Sequence, residues 1–391
     1  MEDHSTAGTR TPEALVLGGS YAGLVAAAAL TANRWNVRLV ERSIVPDRTG
    51  GGVVIQPRMM DYLRSRGIGI RSIIGVPART RKIFHADGTI LRMPETAAAY
   101  TSWDILLREL ERAVEPHRIE RGLALNDILH GGVTGEVELS DGTTVKADLV
   151  VAADGIGSLA RRLLLPGIEP TYAGYVAWRG MVRETEIPRK TVERFRDSFC
   201  SHSGRNTHML LYEVPGENGS VEPGERRINW VWYENVTDQD ELREILTDSS
   251  GAVHRSTVPR GMVPNATLTR MRGTAGSDLC REFATVIHST GTPFVQTIND
   301  LLVPKLVFGR TVLIGDAASL IRPHIGSGTA KAVDDAIQLA HALSEANGND
   351  PSCLAAWEHT RLDDHAGLLE YSRTRAQRLN LGSADSSGST G

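Results

Sequence analysis

A chain of 391 residues, 41% hydrophobic and 23% charged, is long enough for two or more hydrophobic cores and has the make-up of a soluble globular protein. Its 43 basic and 47 acidic residues leave a net charge of −4, so no overall field draws it to nucleic acid or to an anionic membrane. Cys200, Cys280 and Cys353 are widely spaced and lack C-x-x-C pairing, which argues against a disulfide framework or a zinc site; no metal is expected, only thiols in a reducing compartment.

The opening MEDHSTAGTRTPE has no apolar segment and no later stretch reaches membrane-span length, so a cytoplasmic protein with mobile residues 1–12 is expected. Residues 14–30, ALVLGGSYAGLVAAAAL, read as a short buried strand, a tight turn and a helix from about Tyr21. Such a turn aims free backbone N–H groups at an anion. In the dinucleotide fingerprint G-x-G-x-x-G the first glycine makes the turn, the second admits the pyrophosphate, and the third lets the helix pack close. Gly18 and Gly23 supply the first and third, and Ser20 stands at the second, with a hydroxyl able to add a phosphate hydrogen bond. A second strand over 36–40 ends at Glu41, near the spacing of an acid that binds a ribose 2′-OH. This order of elements favours an ADP-containing cofactor over a plain packing turn.

Gly50, Gly51 and Gly52, followed by VVIQP, suggest backbone close to a ligand or a loop that moves. Residues 57–66 read as a helix, and 79–93 as a hairpin turning at Asp87-Gly88, with Arg79, Arg81 and Lys82 on a solvated strand face. WDILLRELERAV, 103–114, has helical periodicity through Leu106, Leu107 and Leu110 and places Arg108 on that helix. A second hairpin over 135–148 turns at Asp141-Gly142 and leads into a buried strand, 149–153, that stops at Asp154-Gly155.

From Tyr172 the texture changes. YAGYVAWRGMV, THMLLYEVP and RRINWVWYENV are extended segments rich in β-branched and aromatic residues, which predicts a mainly antiparallel sheet in a separate substrate domain. The α/β texture returns with a strand over 311–314 that meets Gly315-Asp316-Ala317. After a loop with Pro323 and His324, a helix begins near Gly328, lined on one face by Val333, Ala336, Ile337, Ala340 and Leu343. Residues 382–391 are Ser/Gly-rich and expected to be mobile, and no internal repeat is present.

The glycine turn with Glu41, the strand ending ADG (153–155) and the strand ending GDAA (315–318) together resemble the fingerprints of the group A, single-component FAD-dependent aromatic hydroxylases, the para-hydroxybenzoate hydroxylase family. A nicotinamide dehydrogenase would account for the first element alone. GGSYAGL, VVIQP, GIEPTYAGYVAWRG, INWVWYENV and RPHIGSGTAKAVDDA point to the family's hydroxypyridine monooxygenases, and the likeness runs from about Leu15 to Leu379. The resemblance implies an α/β fold with a Rossmann-like, discontinuous FAD-binding domain (13–78, 102–171 and 271–381). Into it is inserted a mainly antiparallel β-sheet substrate domain (79–101 and 172–270), and a C-terminal helical region follows.

The resemblance further implies noncovalent FAD. Gly18, Ser20 and Gly23 would cradle its pyrophosphate, Glu41 its adenosine ribose and Asp316 its ribityl chain, while Arg108 would reach the pyrophosphate region. Pro323, Gly326 and Gly328 would lie beside the isoalloxazine, where a helix N-terminus suits the negative charge of the reduced ring. Arg42 and Gln56 complete the cofactor set, and Asp154 and Gly155 would serve both flavin and NAD(P)H, although a strand-end turn held by the Asp154 side chain is the structural alternative. The loop from Gly326 to Ala330 lacks the asparagine common in the family's G-x-G-x-N.

The implied activity is ring hydroxylation through a flavin C4a-hydroperoxide, with NADH or NADPH as electron donor and O2 as oxidant. The implied substrate is an electron-rich hydroxypyridine such as 2,6-dihydroxypyridine; a phenol, another N-heterocycle, or a non-catalytic nucleotide-binding regulator are the alternatives. Trp230 and Trp232 are similar to the W-x-W of flavin-dependent halogenases, but no I-P follows, and alternating strand aromatics are the better reading. His324, His208 and Tyr212 form the catalytic pool. The latter two share one strand face four residues apart, and a lone strand histidine is more often structural. The expected partners are a small aromatic substrate, O2 and NAD(P)H, without nucleic acid or membrane, and with a homodimer as an option.

Overall fold

A computed structural model describes residues 10–45, 50–55, 60–61, 65, 75–114, 119–129, 134–204, 207–345 and 351–382. Gln56, most of the helix expected over 57–66, and most of the two termini lie outside the described residues.

One core forms around a six-stranded sheet in the order Val307–Phe308, Thr311–Leu313, Leu149–Ala152, Glu13–Leu17, Asn36–Glu41, Ile119–Arg121. All its pairs are parallel except the first. Its central strands, LVVA and EALVL, read as continuous apolar runs because both faces are covered, one by helices and the other by the three-stranded sheet of Leu125–Leu129, Gly135–Leu139 and Thr144–Ala147. The helix Tyr21–Ala32 is built largely of alanine, and Ala26 and Ala27 are fully buried. Side chains this small let it sit between the sheet and the later helix Gly328–Glu345.

The second architecture is a ten-stranded, mostly antiparallel sheet. Its order is Thr257–Val258, Phe294–Leu302, Thr171–Arg183, Arg227–Asn235, Thr207–Val214, Ser198–Gly204, Val76–Phe84, Ile90–Ser102, Gly52–Ile55, with Ser319–Leu320 paired to Phe294–Leu302. The strand Phe294–Leu302 falls in the stretch the sequence division put with the first domain, yet it pairs with Thr171–Arg183. Its inward residues Val295 and Ile298 need the apolar faces of this sheet, and that burial decides its place.

Period-two alternation gives the sheet two different faces. Val176, Trp178, Ile228, Trp230, Trp232, Met209 and Leu211 point one way, against the helices Asn265–Asp278 and Arg281–His288. Trp230 and Trp232 are fully buried there, with their indole N–H groups donating to Thr290 Oγ1 (2.9 Å) and Thr207 Oγ1 (2.5 Å). They are structural aromatics. The opposite face carries Tyr175, Ala177, His208, Leu210, Tyr212, Val231 and Tyr233, and turns toward the first domain.

Hairpins at Asp87-Gly88 and Asp141-Gly142 form at the expected turns, the second within a three-stranded sheet. Lys82 departs from the solvated face expected of it. It is buried, and its ammonium donates to the carbonyls of Arg194 (2.7 Å) and Arg196 (3.3 Å) at the end of the helix Arg189–Phe195, where unsatisfied carbonyls favour a cation. A long helix, Pro351–Arg378, closes the chain. Among the described residues no helix is long and apolar enough to cross a membrane.

Candidate functional site

The turn between Glu13–Leu17 and Tyr21–Ala32 is closed by contacts only glycine allows. A side-chain carbon at Gly18, whose φ is +107°, would lie 2.4 Å from the Ala153 carbonyl oxygen; one at Gly23 would lie 1.9 Å from that of Gly18. Ser20 occupies the N-cap position with extended backbone, but its hydroxyl caps nothing, and no acidic residue stands in the first turn. The helix therefore presents uncapped N–H groups and a positive dipole end, a cradle that fits a phosphate. Glu41 sits beside it, its carboxylate accepting from the backbone N–H of Gly19 (2.6 Å) and Ser43 (2.8 Å). Arg108, on the helix Trp103–Ala113, is half-buried with a shielded Nε that has no hydrogen-bond partner, while Arg42 is exposed.

The other two motif turns lie at the ends of the neighbouring strands. Asp154 accepts hydrogen bonds from Ser158 Oγ (2.5 Å) and the Ala160 backbone N–H (3.1 Å), holding the start of the helix Leu159–Leu164. Gly155 follows with φ +79°. Arg161, missed in the sequence, is fully buried and bridges the two motifs, donating to the carbonyls of Ile156 (2.8 Å) and Ala317 (3.2 Å). Asp316 receives no hydrogen bond among the described residues. Its carboxylate is open to solvent but walled by protein, and desolvation pushes it above the usual carboxylate range against the pull of Lys331 and Arg161. An unengaged acceptor beside a phosphate cradle fits a polyol chain such as a ribityl.

Facing these turns is the polar side of the large sheet. Tyr212 packs on Tyr100 (ring centroids 4.3 Å) and Phe199 (5.9 Å), forming an aromatic floor under the glycine run. A side-chain carbon at Gly52 would come within 2.6 Å of the Tyr212 ring, so glycine is what lets the loop rest there. Asn229 is fully buried; its Oδ1 accepts from the Gly52 N–H (2.6 Å) and its Nδ2 has no acceptor. Arg179, half-buried on the adjacent strand, has an Nε without a partner and lies near enough to Tyr212 and Tyr233 to oppose the rise of their phenols. Burial still dominates and pushes Tyr233 up to about 12, so both hydroxyls stay protonated. Asn229 and Arg179 were not anticipated. The signal was an arginine and an asparagine on the inward phase of otherwise apolar strands.

The two histidines lie close to this face but differ in their bonds. His208 Nδ1 is 2.8 Å from Ser203 Oγ, and its ring stacks on Tyr233 (6.1 Å). His324, in the turn Pro323–Ile325, has Nε2 3.0 Å from the Tyr175 hydroxyl, while its Nδ1 is shielded and without a partner. Burial lowers His208 to about 4 and His324 to about 3, with nearby Arg322 and Arg375 also opposing the charge on His324. Both are neutral near pH 7. Gly326 follows in the left-handed region (φ +67°), and the helix Gly328–Glu345 starts at Gly328. Among the described residues no group of three or more His, Cys, Asp or Glu side chains could hold a metal ion.

The chain is similar to known FAD-binding proteins. Residues 172–300 match a family model described as FAD binding domain-like, and residues 255–371 match one described as FAD binding domain. The 2,6-dihydroxypyridine 3-monooxygenase of Paenarthrobacter nicotinovorans is 33% identical over 374 residues, covering 95% of this chain and 92% of that protein. The 6-hydroxynicotinate 3-monooxygenase of Pseudomonas fluorescens is 26% identical, covering 91% of this chain and 89% of its own. Among solved structures, that of 2,6-dihydroxypyridine-3-hydroxylase from Arthrobacter nicotinovorans superposes with a TM-score of 0.88 at 32% identity, covering 97% of this chain and 95% of the other.

Proposed function

The chain belongs to the group A FAD-dependent aromatic hydroxylases, and on that premise we propose that it hydroxylates an electron-rich hydroxypyridine, such as 2,6-dihydroxypyridine, at the expense of NADH or NADPH and O2. One observation carries the substrate reading. The sheet face opposite the nucleotide turns is lined with aromatic rings (Tyr212, Tyr100, Phe199) and carries, beside them, donors without acceptors (Arg179, Asn229). Such a face suits a flat ring that carries an ionised oxygen.

In this reading Gly18, Ser20, Gly23 and Arg108 hold the FAD pyrophosphate, Glu41 the adenosine ribose and Asp316 the ribityl chain. Arg42, Asp154 and Gly155 line the nucleotide path, and Pro323, Gly326 and Gly328 flank the isoalloxazine. Bound FAD supplies electron transfer from NAD(P)H and the activation of O2.

The chain's own residues prepare the ring. Arg179 stabilises the substrate as an anion, because a guanidinium favours the charged form of a neighbouring hydroxyl. The anion is the electron-rich form that attacks oxygen. Tyr212 stays protonated and acts as wall and hydrogen-bond donor. His208, neutral and tied to Ser203 through Nδ1, can accept a hydrogen bond from a ring hydroxyl or N–H at Nε2. His324 and Tyr175 close the opposite side and exclude water.

The test uses the FAD-loaded protein in air. Adding 2,6-dihydroxypyridine should speed NAD(P)H oxidation at least tenfold, with matching O2 uptake. Acceleration by phenols alone would replace the substrate class, and no acceleration by any hydroxyarene would overturn the reading.

A further inference from the structure

Behind the Gly315-Asp316 turn lies a buried charged cluster that the proposed chemistry does not use. Lys331 is 2% exposed and Asp335 fully buried, one helical turn apart on Gly328–Glu345. The Lys331 ammonium donates to the carbonyls of Gly315 (2.7 Å) and Ser319 (2.7 Å) and to Ser319 Oγ (2.9 Å). Asp335 Oδ2 accepts from the Gly315 N–H (3.0 Å). The two backbone groups of Gly315 are thus gripped from one helix, and Lys331 ties together both ends of the segment that carries Asp316.

Only glycine fits at position 315. Its φ is +62°, and a side-chain carbon there would fall 2.8 Å from the Ala22 methyl on the glycine-turn helix. Asp335 is itself fixed from a third element: His365 Nε2 is 2.7 Å from its Oδ1, and the Arg361 guanidinium stands at 3.9 Å. Three acceptors around one ammonium, and two hydrogen-bond partners with a guanidinium nearby around one carboxylate, are more than an ordinary helix contact requires. Burying two charged side chains that make no ion pair with each other costs desolvation, and here the bonds that offset it all fix the Gly315–Ser319 segment or the carboxylate that holds it.

We propose that Lys331 and Asp335 are positioning residues for FAD: they clamp the Gly315-Asp316 turn to the helix whose N-terminus faces the flavin, so that the ribityl and ring contacts are held in one fixed relation. The inference rests on the FAD reading above. It makes FAD affinity, and the asymmetry of the bound ring's surroundings, depend on two side chains that lie behind the turn.

The experiment titrates FAD into apoprotein by fluorescence and records visible circular dichroism of the flavin that binds, for wild type, Lys331→Met and Asp335→Asn. The clamp requires both variants to bind FAD at least tenfold more weakly, with altered visible dichroism, whatever happens to the apoprotein's melting temperature. A folded variant with wild-type FAD affinity and dichroism would overturn it. Should Lys331→Met not fold, the isosteric Asp335→Asn decides on the same two readouts. A wild-type chain that takes up no FAD would sink the functional reading and the clamp with it, whereas tight wild-type binding with indifferent variants would sink the clamp alone.

Discussion

The Tyr175 hydroxyl lies 3.0 Å from His324 Nε2, with the two rings only 11° from parallel. Arg322 places its guanidinium 5.7 Å from the centre of the Tyr175 ring and is held by two 2.8 Å hydrogen bonds to Asp300, which Arg373 also contacts. Burial raises the Tyr175 phenol and lowers His324, so the pair meets as two neutral groups. It is a fixed wall rather than a charge switch. Removing one bond of this kind loosens the wall by about 1 kcal/mol, so Tyr175→Phe and His324→Gln should cut ring hydroxylation by roughly fivefold to tenfold. Flavin reduction should be nearly unchanged, and peroxide released per NAD(P)H should rise. Equal losses in reduction and hydroxylation would show that the pair acts elsewhere.

Among the described residues, the Asp316 carboxylate accepts no hydrogen bond. If it bonds the ribityl chain, Asp316→Ala removes one or two charge-assisted hydrogen bonds and weakens FAD binding by roughly tenfold to a hundredfold. A fluorescence titration of apoprotein reads this directly, and an unchanged dissociation constant would remove Asp316 from the cofactor site.

Arg179 should matter to the ring and not to the cofactor. Arg179→Met is expected to raise the KM for a hydroxypyridine by roughly tenfold or more, the usual cost of losing an ionic hydrogen bond, with FAD affinity as in wild type. The loss should be smaller for a substrate analogue that cannot ionise. Equal losses for both would mean that Arg179 shapes the pocket without reading charge.

The glycine turns were legible in sequence because what they require is backbone space. Gly18, Gly23 and Gly315 are needed where a side-chain carbon would strike a neighbouring carbonyl or methyl, and that need leaves glycines at fixed spacing. The side chains of the proposed ring face leave no such spacing. Arg179 and Asn229 stand on two neighbouring strands whose register only folding sets, and nothing in the sequence marks Lys331 as buried. The strand Phe294–Leu302 was misplaced for a similar reason, since an apolar strand does not say which sheet it joins.

The buried histidines make stability depend on pH. His208 has a folded value of about 4 against an unfolded value of about 6.5, so the unfolded chain binds the proton more readily between the two. Stability is full above about pH 6.5 and is lost as pH falls toward 4, by on the order of 2 to 3 kcal/mol from this group. Urea midpoints between pH 7 and pH 4 should therefore fall less steeply for His208→Gln than for wild type. Parallel curves would mean that His208 is not protonated on unfolding in that range.

The central claim is tested most directly by the fate of oxygen. FAD-loaded protein is turned over with NAD(P)H and 2,6-dihydroxypyridine under oxygen-18 gas, and the ring product is weighed by mass spectrometry. A product that has gained a single oxygen atom, taken from the labelled gas and not from water, is the result predicted for a hydroxylase of this kind. Substrate recovered unlabelled, with the reducing equivalents all appearing as peroxide, would contradict it and leave the ring as an effector rather than a substrate.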